Sequence, residues 1–475
     1  MKIGLAIAVN TDFEDWSYYQ PLGLAYIASY LRKYSPHVDE IVVERDIDKL
    51  IAHKPDIVGI GCVSYFYGVA QRYARQAREE LGCPVWIGGP HISALPESFT
   101  RDFDVAVIGE GEVTVAELVD VYASTGMQPI PGDLAKVEGI LYWENGGMVQ
   151  TPGRELLYDM DHFPMPDRHL LDGKWGDNKK YPTMVTSRGC PYKCTFCATI
   201  IQWGRRFRGH SADYVCAEVE HLRNTYDCEN ILFQDDLFIA NKKRFKEIVL
   251  ALEERGLLQG INTRCFVRVN LMDDEMCDLL ARMNCNILYT GFESNSAPIL
   301  QELGKTGVKP EHNQKMIDYC RKYGFESNSC FIIGSPSERR EDILATYQFI
   351  TDNADVLQGC AVTALMVYPG TQVWRWAVER GLRGTTDLSG IVIEPEDFAD
   401  ADAFMRNRYI YLNQHIDIEE FINLLKIGRG IADMVNNWSA ERWAERERLA
   451  ARRPINLAGR IAGIKRRLGE LRAEA

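Results

Sequence analysis

The sequence predicts an α/β protein with two consecutive strand–helix regions and a mainly helical C-terminal region. Short apolar runs alternate with helical patterns over residues 1 to about 135, and the same rhythm returns from residue 183 to about 371. Several apolar runs show little alternation, as expected of strands that are covered on both faces. The first region therefore predicts a doubly wound (Rossmann-like) open parallel sheet with helices on both faces.

Five strands and two clear helices are predicted in the first region, residues 1–135. The helix at 22–34 opens after Pro21, a favourable residue at a helix start. The strands fall at residues 3–9, 40–43, 56–62, 85–87 and 105–108, and the second helix at 69–81. Each strand is short and bounded by glycine or polar residues, which is typical of a compact βαβ unit.

Three strand-end loops of this region are candidates for ligand contact, because ligands of open α/β sheets bind outside the carboxyl ends of the strands. Glycine in such a loop allows close backbone approach to a flat or phosphate-bearing ligand. From the residues alone, tight turns are the better interpretation, since a glycine-rich turn is weak evidence for a site. The loops are Val63, Ser64 and Tyr65; Gly88, Gly89, Pro90 and His91; and Gly109, Glu110, Gly111 and Glu112.

Residues 136–180 predict a connector, in which Asn145-Gly146-Gly147 indicates a hairpin. The second region, residues 181–385, contains six strand–helix units, too few for a full eight-stranded barrel. Residues 386–475 form the helical C-terminal region, ending in a basic amphipathic segment at 455–475 that favours a solvated face over a membrane-surface helix. The strands are expected at 184–187, 230–233, 262–267, 287–291, 327–333 and 362–366, and the C-terminal helices at 404–414, 418–435 and 440–452.

The loop between the first strand of the second region and its helix contains Cys190, Cys194 and Cys197 in a C-x3-C-x2-C pattern. Iron–sulfur cubanes normally take four cysteines, so three indicate a cluster with one iron free to bind another molecule. A zinc site would show a second Cys pair or an H-x3-5-H pattern, and neither follows. A disulfide framework is disfavoured by the odd total of 13 cysteines.

This loop, with Arg188-Gly189 before it and Phe196 before the last cysteine, resembles the radical S-adenosylmethionine (radical SAM) family. The resemblance implies a [4Fe-4S] cluster whose open iron binds the amine and carboxylate of S-adenosylmethionine. Reduction would then cleave the sulfonium to give a 5′-deoxyadenosyl radical. It also implies that the six strand–helix units form the partial (β/α)6 barrel of that family.

The first region resembles the cobalamin-binding domain that precedes the barrel in one large radical SAM subfamily. The resemblance lies in Pro21-Leu-Gly-Leu-Ala-Tyr26, in Gly88-Gly-Pro-His91 with Pro96-Glu97, and in Ile108-Gly-Glu-Gly-Glu112. It implies that the three strand-end loops line the corrin and its nucleotide tail. The D-x-H-x-x-G pattern of domains that ligate cobalt through histidine is absent, so the lower cobalt face is expected to be unligated or faced by Tyr65 or another side chain.

Further candidate residues lie at strand ends of the barrel, where barrel enzymes place their chemistry. Glu293 can accept a hydrogen bond from the methionine ammonium, and Ser294 can bond to the carboxylate or ribose. Arg268 can pair with the carboxylate, and the family associates S-adenosylmethionine with similar positions. Asp235-Asp236 is compatible with a metal or acid–base role, or with a helix cap or a structural salt bridge.

These features together predict a cobalamin-dependent radical SAM enzyme, most simply a methyltransferase acting on an unactivated carbon of a natural-product or lipid-type small molecule. The resemblance implies that one S-adenosylmethionine methylates the corrin and a second supplies the radical. The alternatives are a cobalamin-dependent cyclase, ring-rearranging or oxidising enzyme without methyl transfer and, in another class, a cobalamin carrier or sensor with a structural cluster. The predicted partners are the substrate and an external flavodoxin-like or ferredoxin-like electron donor.

Composition limits the other classes of function. The 475 residues carry a net charge of −13, which argues against a broad nucleic-acid-binding face. The sequence has no apolar run of about 18 residues, so no transmembrane segment is expected. The N-terminus lacks the features of a secretory signal, and we expect a cytoplasmic protein.

Overall fold

A seven-stranded sheet occupies the first part of the chain. The computed structural model describes residues 1–9, 20–171, 173, 182–226, 228–384, 387–388, 391–392, 397 and 400–449, and among these the side chains of 438 and 440–449 are left undescribed. The strands of this sheet are β1 (Lys2–Ile7), β2 (Glu40–Glu44), β3 (Ile57–Gly61), β4 (Val85–Gly88), β5 (Val105–Val107), β6 (Ile140–Glu144) and β7 (Gly147–Gln150).

The strand order is β2-β1-β3-β4-β5-β6-β7, and the first five strands pair in parallel. The order 2-1-3-4-5 is one of the two common doubly wound arrangements, which confirms the predicted fold of this region. The hairpin that we assigned to the connector, β6 and β7, instead pairs antiparallel with β5 and extends the sheet. The sheet is therefore mixed. Strand β6 joins it because Ile140 and Tyr142 are buried in the hydrophobic core of this sheet.

Helices cover both faces of this sheet. The first begins after Pro21, as predicted, and buries Leu22, Leu24 and Ala25. Asp46 caps the second helix by accepting a hydrogen bond from the Asp48 amide. The helices are α1 (Leu22–Tyr34), α2 (Ile47–Ala52), α3 (Tyr67–Leu81), α4 (Pro90–Ala94), α5 (Glu112–Ser124) and α6 (Pro131–Leu134).

A second sheet of six parallel strands forms the partial barrel, in the order β15-β14-β13-β12-β11-β8. The count of six strands agrees with the prediction from the sequence. A separate two-stranded antiparallel ribbon, β9 with β10, frames the cysteine loop. The strands are β8 (Thr183–Met184), β9 (Ser187–Arg188), β10 (Arg208–Gly209), β11 (Asn230–Phe233), β12 (Asn262–Val267), β13 (Cys285–Glu293), β14 (Glu326–Ile333) and β15 (Leu357–Ala364).

The barrel helices pack outside the strands around a large buried core. Asn241 and Asp273 cap two of them through hydrogen bonds from the amides of Arg244 and Met276. The helices are α7 (Thr199–Trp203), α8 (Ala212–Tyr226), α9 (Lys242–Glu254), α10 (Asp274–Arg282), α11 (Ala297–Glu302), α12 (Pro310–Tyr323), α13 (Arg340–Asp352) and α14 (Gln372–Glu379).

The described C-terminal region consists of α15 (Ala401–Asn407) and one long helix, α16 (Ile418–Leu449). The predicted helix at 404–414 ends at Asn407, and the two predicted helices at 418–435 and 440–452 are continuous over their described residues. Asn436 on α16 donates to the Cys360 carbonyl at 2.9 Å and accepts from the Cys360 amide at 2.6 Å. The helix thereby covers the edge strand β15.

The basic segment predicted at 455–475 lies outside the described residues. Within the described ranges, none of the helices has the length and apolar character that crossing a membrane requires.

Candidate functional site

The three predicted cluster cysteines lie in a loop held at both ends by the β9–β10 ribbon. Cys190, Cys194 and Cys197 are each half-buried, and all three line one cavity of about 460 Å³. The loop leaves the ribbon at Gly189, whose φ is +89°, and a Cβ there would overlap the carbonyl oxygen of Arg206. Only glycine tolerates both the positive φ and the close carbonyl, so the glycine before the first cysteine is required for steric reasons.

The donor set of this cavity suits an iron–sulfur cluster. Burial raises the pKa of the Cys190 and Cys197 thiols, and the neighbouring thiols raise it further. Bound iron reverses this effect, because a metal ligates and stabilises thiolates. In the described part of the chain, no three Cys, His, Asp or Glu side chains converge on a point that could hold a single metal ion. A cubane does not require such convergence, because its thiolates bind different irons.

Asp235 and Asp236 fix the start of the cysteine loop through hydrogen bonds. The Asp235 carboxylate accepts from the amide and hydroxyl of Thr186, at 3.2 and 2.8 Å, and from the Ser187 hydroxyl. The Asp236 carboxylate accepts from the Gly189 amide at 3.0 Å and from the Thr199 hydroxyl at 2.9 Å. The sequence left their role open, and these contacts assign them to supporting the loop.

Replacing Asp236 with alanine is expected to weaken cluster retention. The change leaves the buried Gly189 amide without its acceptor, at a cost of about 1–3 kcal/mol for an unsatisfied group, and it also removes the bond from the more exposed Thr199 hydroxyl. The rate of iron loss to a chelator measures the effect. Asp236→Asn keeps one oxygen acceptor and is expected to lie between wild type and Asp236→Ala. Equal rates for all three proteins would contradict the assigned role.

The first sheet contains an apolar slot of about 270 Å³ between its strands and helices α1 and α5. Glycines at positions 59 and 61 of β3 keep the slot open, because a Cβ at Gly61 would stand 3.2 Å from the Cδ1 atom of Ile7. Gly23 on α1 and Gly111 before α5 line it as well. An apolar slot bordered by glycine backbone suits a flat aromatic group such as the nucleotide base of cobalamin.

Two of the three predicted loops line the slot, and the third does not. Seven predicted residues are among its lining: Gly88, Gly89, Pro90, Gly109, Glu110, Gly111 and Glu112. Val63, Ser64, Tyr65 and His91 are absent from that lining.

His91 lies between two serine hydroxyls. Its Nδ1 and Nε2 atoms each lie 3.0 Å from a hydroxyl oxygen, of Ser64 and Ser98 respectively. Burial lowers the pKa of His91 to about 4, so the ring is neutral at physiological pH. With both ring nitrogens engaged, His91 is not placed to ligate cobalt.

Tyr65 contacts the barrel rather than the slot. Its phenol oxygen lies 2.7 Å from that of Tyr368, which follows β15, and the two rings meet edge to face. Burial raises the pKa of Tyr65, so the pair is neutral and joins the first sheet to the barrel edge.

Helix α7 separates the slot from the cysteine cavity and borders both. Its first residues, Thr199, Ile200 and Ile201, line the cysteine cavity, while Gln202 and Trp203 line the slot. The Gln202 side-chain amide donates to the Gly109 carbonyl at 2.8 Å. One short helix thus places the two cavities back to back.

A buried ion cluster joins the slot loops to the cysteine loop. Arg188 lies 2.5 Å from Glu112 and 3.2 Å from Glu110, and Arg208 of β10 also pairs with Glu110. The aromatic rings of Tyr26 and Trp203 flank the Arg188 guanidinium. Burial alone would lower the pKa of Arg188, but the Glu112 and Glu110 carboxylates outweigh it and raise that pKa. Glu110 and Glu112 therefore fix the slot against the cysteine loop.

Substituting Arg188 by methionine is expected to lower the free energy of unfolding by about 3–5 kcal/mol, because it leaves the Glu112 carboxylate buried without its cation. The midpoint of anaerobic denaturant unfolding measures the change. The double variant Arg188→Met/Glu112→Gln removes both charges and is expected to recover most of the loss. A single variant as stable as the double variant would disprove the coupling.

The barrel candidates occupy different surroundings. Glu293 ends β13 with a φ of +63°, at a register shift, and its carboxylate lies 2.9 Å from the Lys305 ammonium. Ser294 is fully buried, and its hydroxyl lies 3.3 Å from the Thr346 hydroxyl of α13. The strained backbone and bulge at Glu293 are typical of functional sites.

Arg268 lies directly against the cysteine loop. Its Nη1 atom donates to the Cys194 sulfur at 3.6 Å, its Nε atom to Asn270 and its Nη2 atom to the Thr306 carbonyl. The guanidinium also covers the Tyr192 ring at 3.8 Å. Arg268 thus contacts a predicted cluster ligand directly.

Sequence reasoning missed several residues of this site. Lys305, Tyr368 and Gln202 carry no motif, and their roles depend on contacts between distant segments. Asp236 was singled out, but without its partner Gly189. The Lys305–Glu293 pair spans a helix, so only the fold brings the two together.

Comparison with known proteins accounts for this arrangement. Residues 184–350 match the family model described as the radical SAM superfamily, and residues 16–119 match the B12 binding domain. An uncharacterized methyltransferase of Pyrococcus horikoshii is 35% identical over 377 residues, covering 76% of this chain and 79% of that protein. The chain belongs to the cobalamin-dependent radical SAM enzymes. Its cofactors are accordingly a [4Fe-4S] cluster, S-adenosylmethionine and cobalamin.

Two further relatives fit this family. The cytidylyl-2-hydroxyethylphosphonate methyltransferase of Streptomyces wedmorensis is 27% identical over 399 residues, covering 69% of this chain and 72% of that enzyme. The radical S-adenosylmethionine methyltransferase TsrM of Kitasatospora setae, solved with cobalamin and a [4Fe-4S] cluster, aligns with a TM-score of 0.67 at 19% identity. That alignment covers 83% of this chain and 76% of TsrM, and it shows a shared fold.

Proposed function

We propose that this radical SAM enzyme transfers a methyl group to an unactivated carbon of a small molecule. The observation that carries the proposal is the position of α7, which borders the cysteine cavity with Ile200 and the apolar slot with Trp203. Radical generation and methyl donation need their cofactors close together, because the substrate radical has to meet the methyl group before it reacts elsewhere.

When bound, the three cofactors supply a 5′-deoxyadenosyl radical and a transferable methyl group. The residues of the chain hold them and exclude water. Cys190, Cys194 and Cys197 are proposed to ligate the cluster, and Asp235 and Asp236 to keep their loop in place. The glycine-bordered slot would hold the nucleotide tail of cobalamin between β3 and α1.

S-adenosylmethionine is proposed to lie between the cysteine loop and the strand ends of the barrel. Glu293 would accept from its ammonium group, with Lys305 as the cation that fixes the carboxylate. Arg268 is the candidate for the carboxylate, since its guanidinium already lies beside Cys194. The placement of Ser294 against α13 favours a structural contribution of that residue over direct contact.

The substrate is proposed to be of the natural-product or lipid type. Phe266 of β12 and Tyr289 of β13 alternate with core residues that pack against the helices, so they face the barrel interior. Their rings stack with centroids 4.8 Å apart and present an aromatic surface there. Methyltransferases acting on varied small molecules, such as the phosphonate named for the Streptomyces relative, fit such a partly apolar interior.

The test is a product analysis with anaerobically purified enzyme whose iron, sulfide and corrin have been quantified. S-adenosylmethionine labelled in its methyl group is supplied with a reductant and candidate substrates. We expect 5′-deoxyadenosine and S-adenosylhomocysteine to form together, with label in the product. Formation of 5′-deoxyadenosine without S-adenosylhomocysteine would indicate cyclisation or oxidation of the substrate instead of methyl transfer. No cleavage under strong reductant would favour a carrier or sensor.

The reaction also needs electrons from outside the chain. We propose a flavodoxin-like or ferredoxin-like protein as the donor, and a cytoplasmic setting, because oxygen damages such clusters and the cytoplasm keeps thiols reduced. The resting cluster and the corrin would both draw on this supply.

A further inference from the structure

Exposed basic side chains surround the opening of the cysteine cavity. Lys193 stands between the first two cluster cysteines, Arg205 follows α7, and Arg375 lies on α14. All three line the same cavity as the three thiols. We name these three residues the basic rim. The whole chain has a net charge of −13, so positive charge concentrated at this opening is a local departure.

The charges of the basic rim are available to a partner. Among the described residues, none of the three makes a salt bridge with a carboxylate. Arg375 donates to the neutral Gln372 amide oxygen at 2.8 Å. Charges left unpaired at an exposed opening attract an oppositely charged surface and accelerate its association.

The place of the rim favours an electron carrier over a small anionic substrate. A substrate has to reach the barrel interior, but Glu293, Phe266 and Tyr289 do not line this cavity. A partner at the rim instead lies against the three cysteine ligands. Electron transfer needs only this proximity, whereas hydrogen abstraction needs contact with the reacting atom inside the barrel.

We propose that the basic rim is the docking surface for an acidic, low-potential, one-electron carrier protein that reduces the cluster. One electron leaves the carrier and enters the cluster, and no bond is formed or broken. The inference rests on the reductive step of the proposed function and is independent of methyl transfer. The carrier is recognised by its negative surface charge, and the rim supplies the complementary charge.

The experiment uses the full-length, cluster-loaded enzyme and reduced flavodoxin as the probe. The variant Lys193→Gln/Arg205→Gln/Arg375→Gln removes three rim charges. Stopped-flow bleaching of the cluster absorbance gives the second-order rate of reduction. We expect this rate to fall roughly tenfold or more at low salt, and its dependence on ionic strength to become shallower, as for other charge-steered associations.

A matched control places the same charge change elsewhere. Lys49→Gln/Lys243→Gln/Lys315→Gln alters three exposed lysines that do not line the cavity, and it is expected to react with flavodoxin at nearly the wild-type rate. A second control replaces flavodoxin by the methyl viologen radical cation, which the positive charge of the rim repels rather than attracts. The rim variant is expected to accept electrons from viologen at least as fast as wild type.

The outcomes separate the docking surface from the proposed function. Equal flavodoxin rates for the rim variant and wild type would overturn the docking surface and leave the proposed function standing. A rim variant that is also slower with viologen would overturn it too, because the residues would then support the cluster or bind a small anion. A wild-type cluster that viologen reduces without cleavage of S-adenosylmethionine would instead contradict the proposed function.

Discussion

Cleavage of S-adenosylmethionine is expected to disappear when Cys197 is replaced by alanine, while cobalamin remains bound. The thiol lines the cysteine cavity together with Cys190 and Cys194, and its loop is closed by a hydrogen bond from the Cys197 amide to the Cys194 carbonyl. With two thiolates left, a cubane lacks ligands for two of its irons. The radical has no other source, so the expected loss is complete within detection.

Three measurements check this result on the same anaerobic preparation. Iron and sulfide should fall together, 5′-deoxyadenosine should be undetectable, and the corrin spectrum should persist after desalting. Cys216→Ala is the matched control, because this buried thiol of α8 belongs to the helical core and lies outside the cavity. Full iron content in Cys197→Ala, or equal loss of activity in Cys216→Ala, would refute the assigned ligand.

Filling the apolar slot is expected to have the opposite effect, loss of cobalamin with the cluster intact. In Gly61→Val the new side chain enters the slot from β3, within contact distance of Ile7 and Leu24. Overpacking costs about 1–3 kcal/mol, which corresponds to about 5- to 150-fold weaker cobalamin binding. Valine suits a strand, so the sheet itself should tolerate the change.

Equilibrium titration with cobalamin, followed in the visible spectrum, measures this effect. Gly147→Val is the control, because Gly147 is exposed on β7 of the same sheet and a Cβ there meets only the Glu144 carbonyl at 3.7 Å. We expect Gly147→Val to bind cobalamin normally and both variants to keep their iron. Normal cobalamin affinity in Gly61→Val would show that the slot holds something else.

The sequence predicted more of the fold than of the site. Local apolar runs located all five parallel strands of the first sheet and the six of the barrel, because strand burial leaves a short-range pattern. The hairpin of β6 and β7 was predicted correctly, but its pairing with β5 was not, since a hairpin signal gives a turn and not the neighbouring strand. The helix expected at 404–414 ends at Asn407 for a similar reason. Beyond it, Tyr409 is buried and its hydroxyl donates to the Leu365 carbonyl, a tertiary contact that the local pattern does not show.

Within the site, the residues of the cysteine motif were predictable from the sequence, whereas the residues that support them through tertiary contacts were not. Three cysteines within eight positions specify a cluster by chemistry alone, since ligand type and spacing are local properties. The same pattern says nothing about Asp236 beneath the loop or Arg268 beside Cys194. Nor does the sequence show that both ring nitrogens of His91 are engaged by serine hydroxyls, from Ser64 and Ser98.

By itself, the sequence indicated an open-iron cluster and the order of the two strand–helix regions, because cysteine spacing and strand patterns are local properties of the chain. Only the tertiary structure decided that the cysteine cavity and the apolar slot share the wall formed by α7, and that Arg188 joins them through Glu110 and Glu112. Those contacts connect segments some eighty residues apart. Their energies depend on burial and on distances between charges, which exist only once the chain has folded.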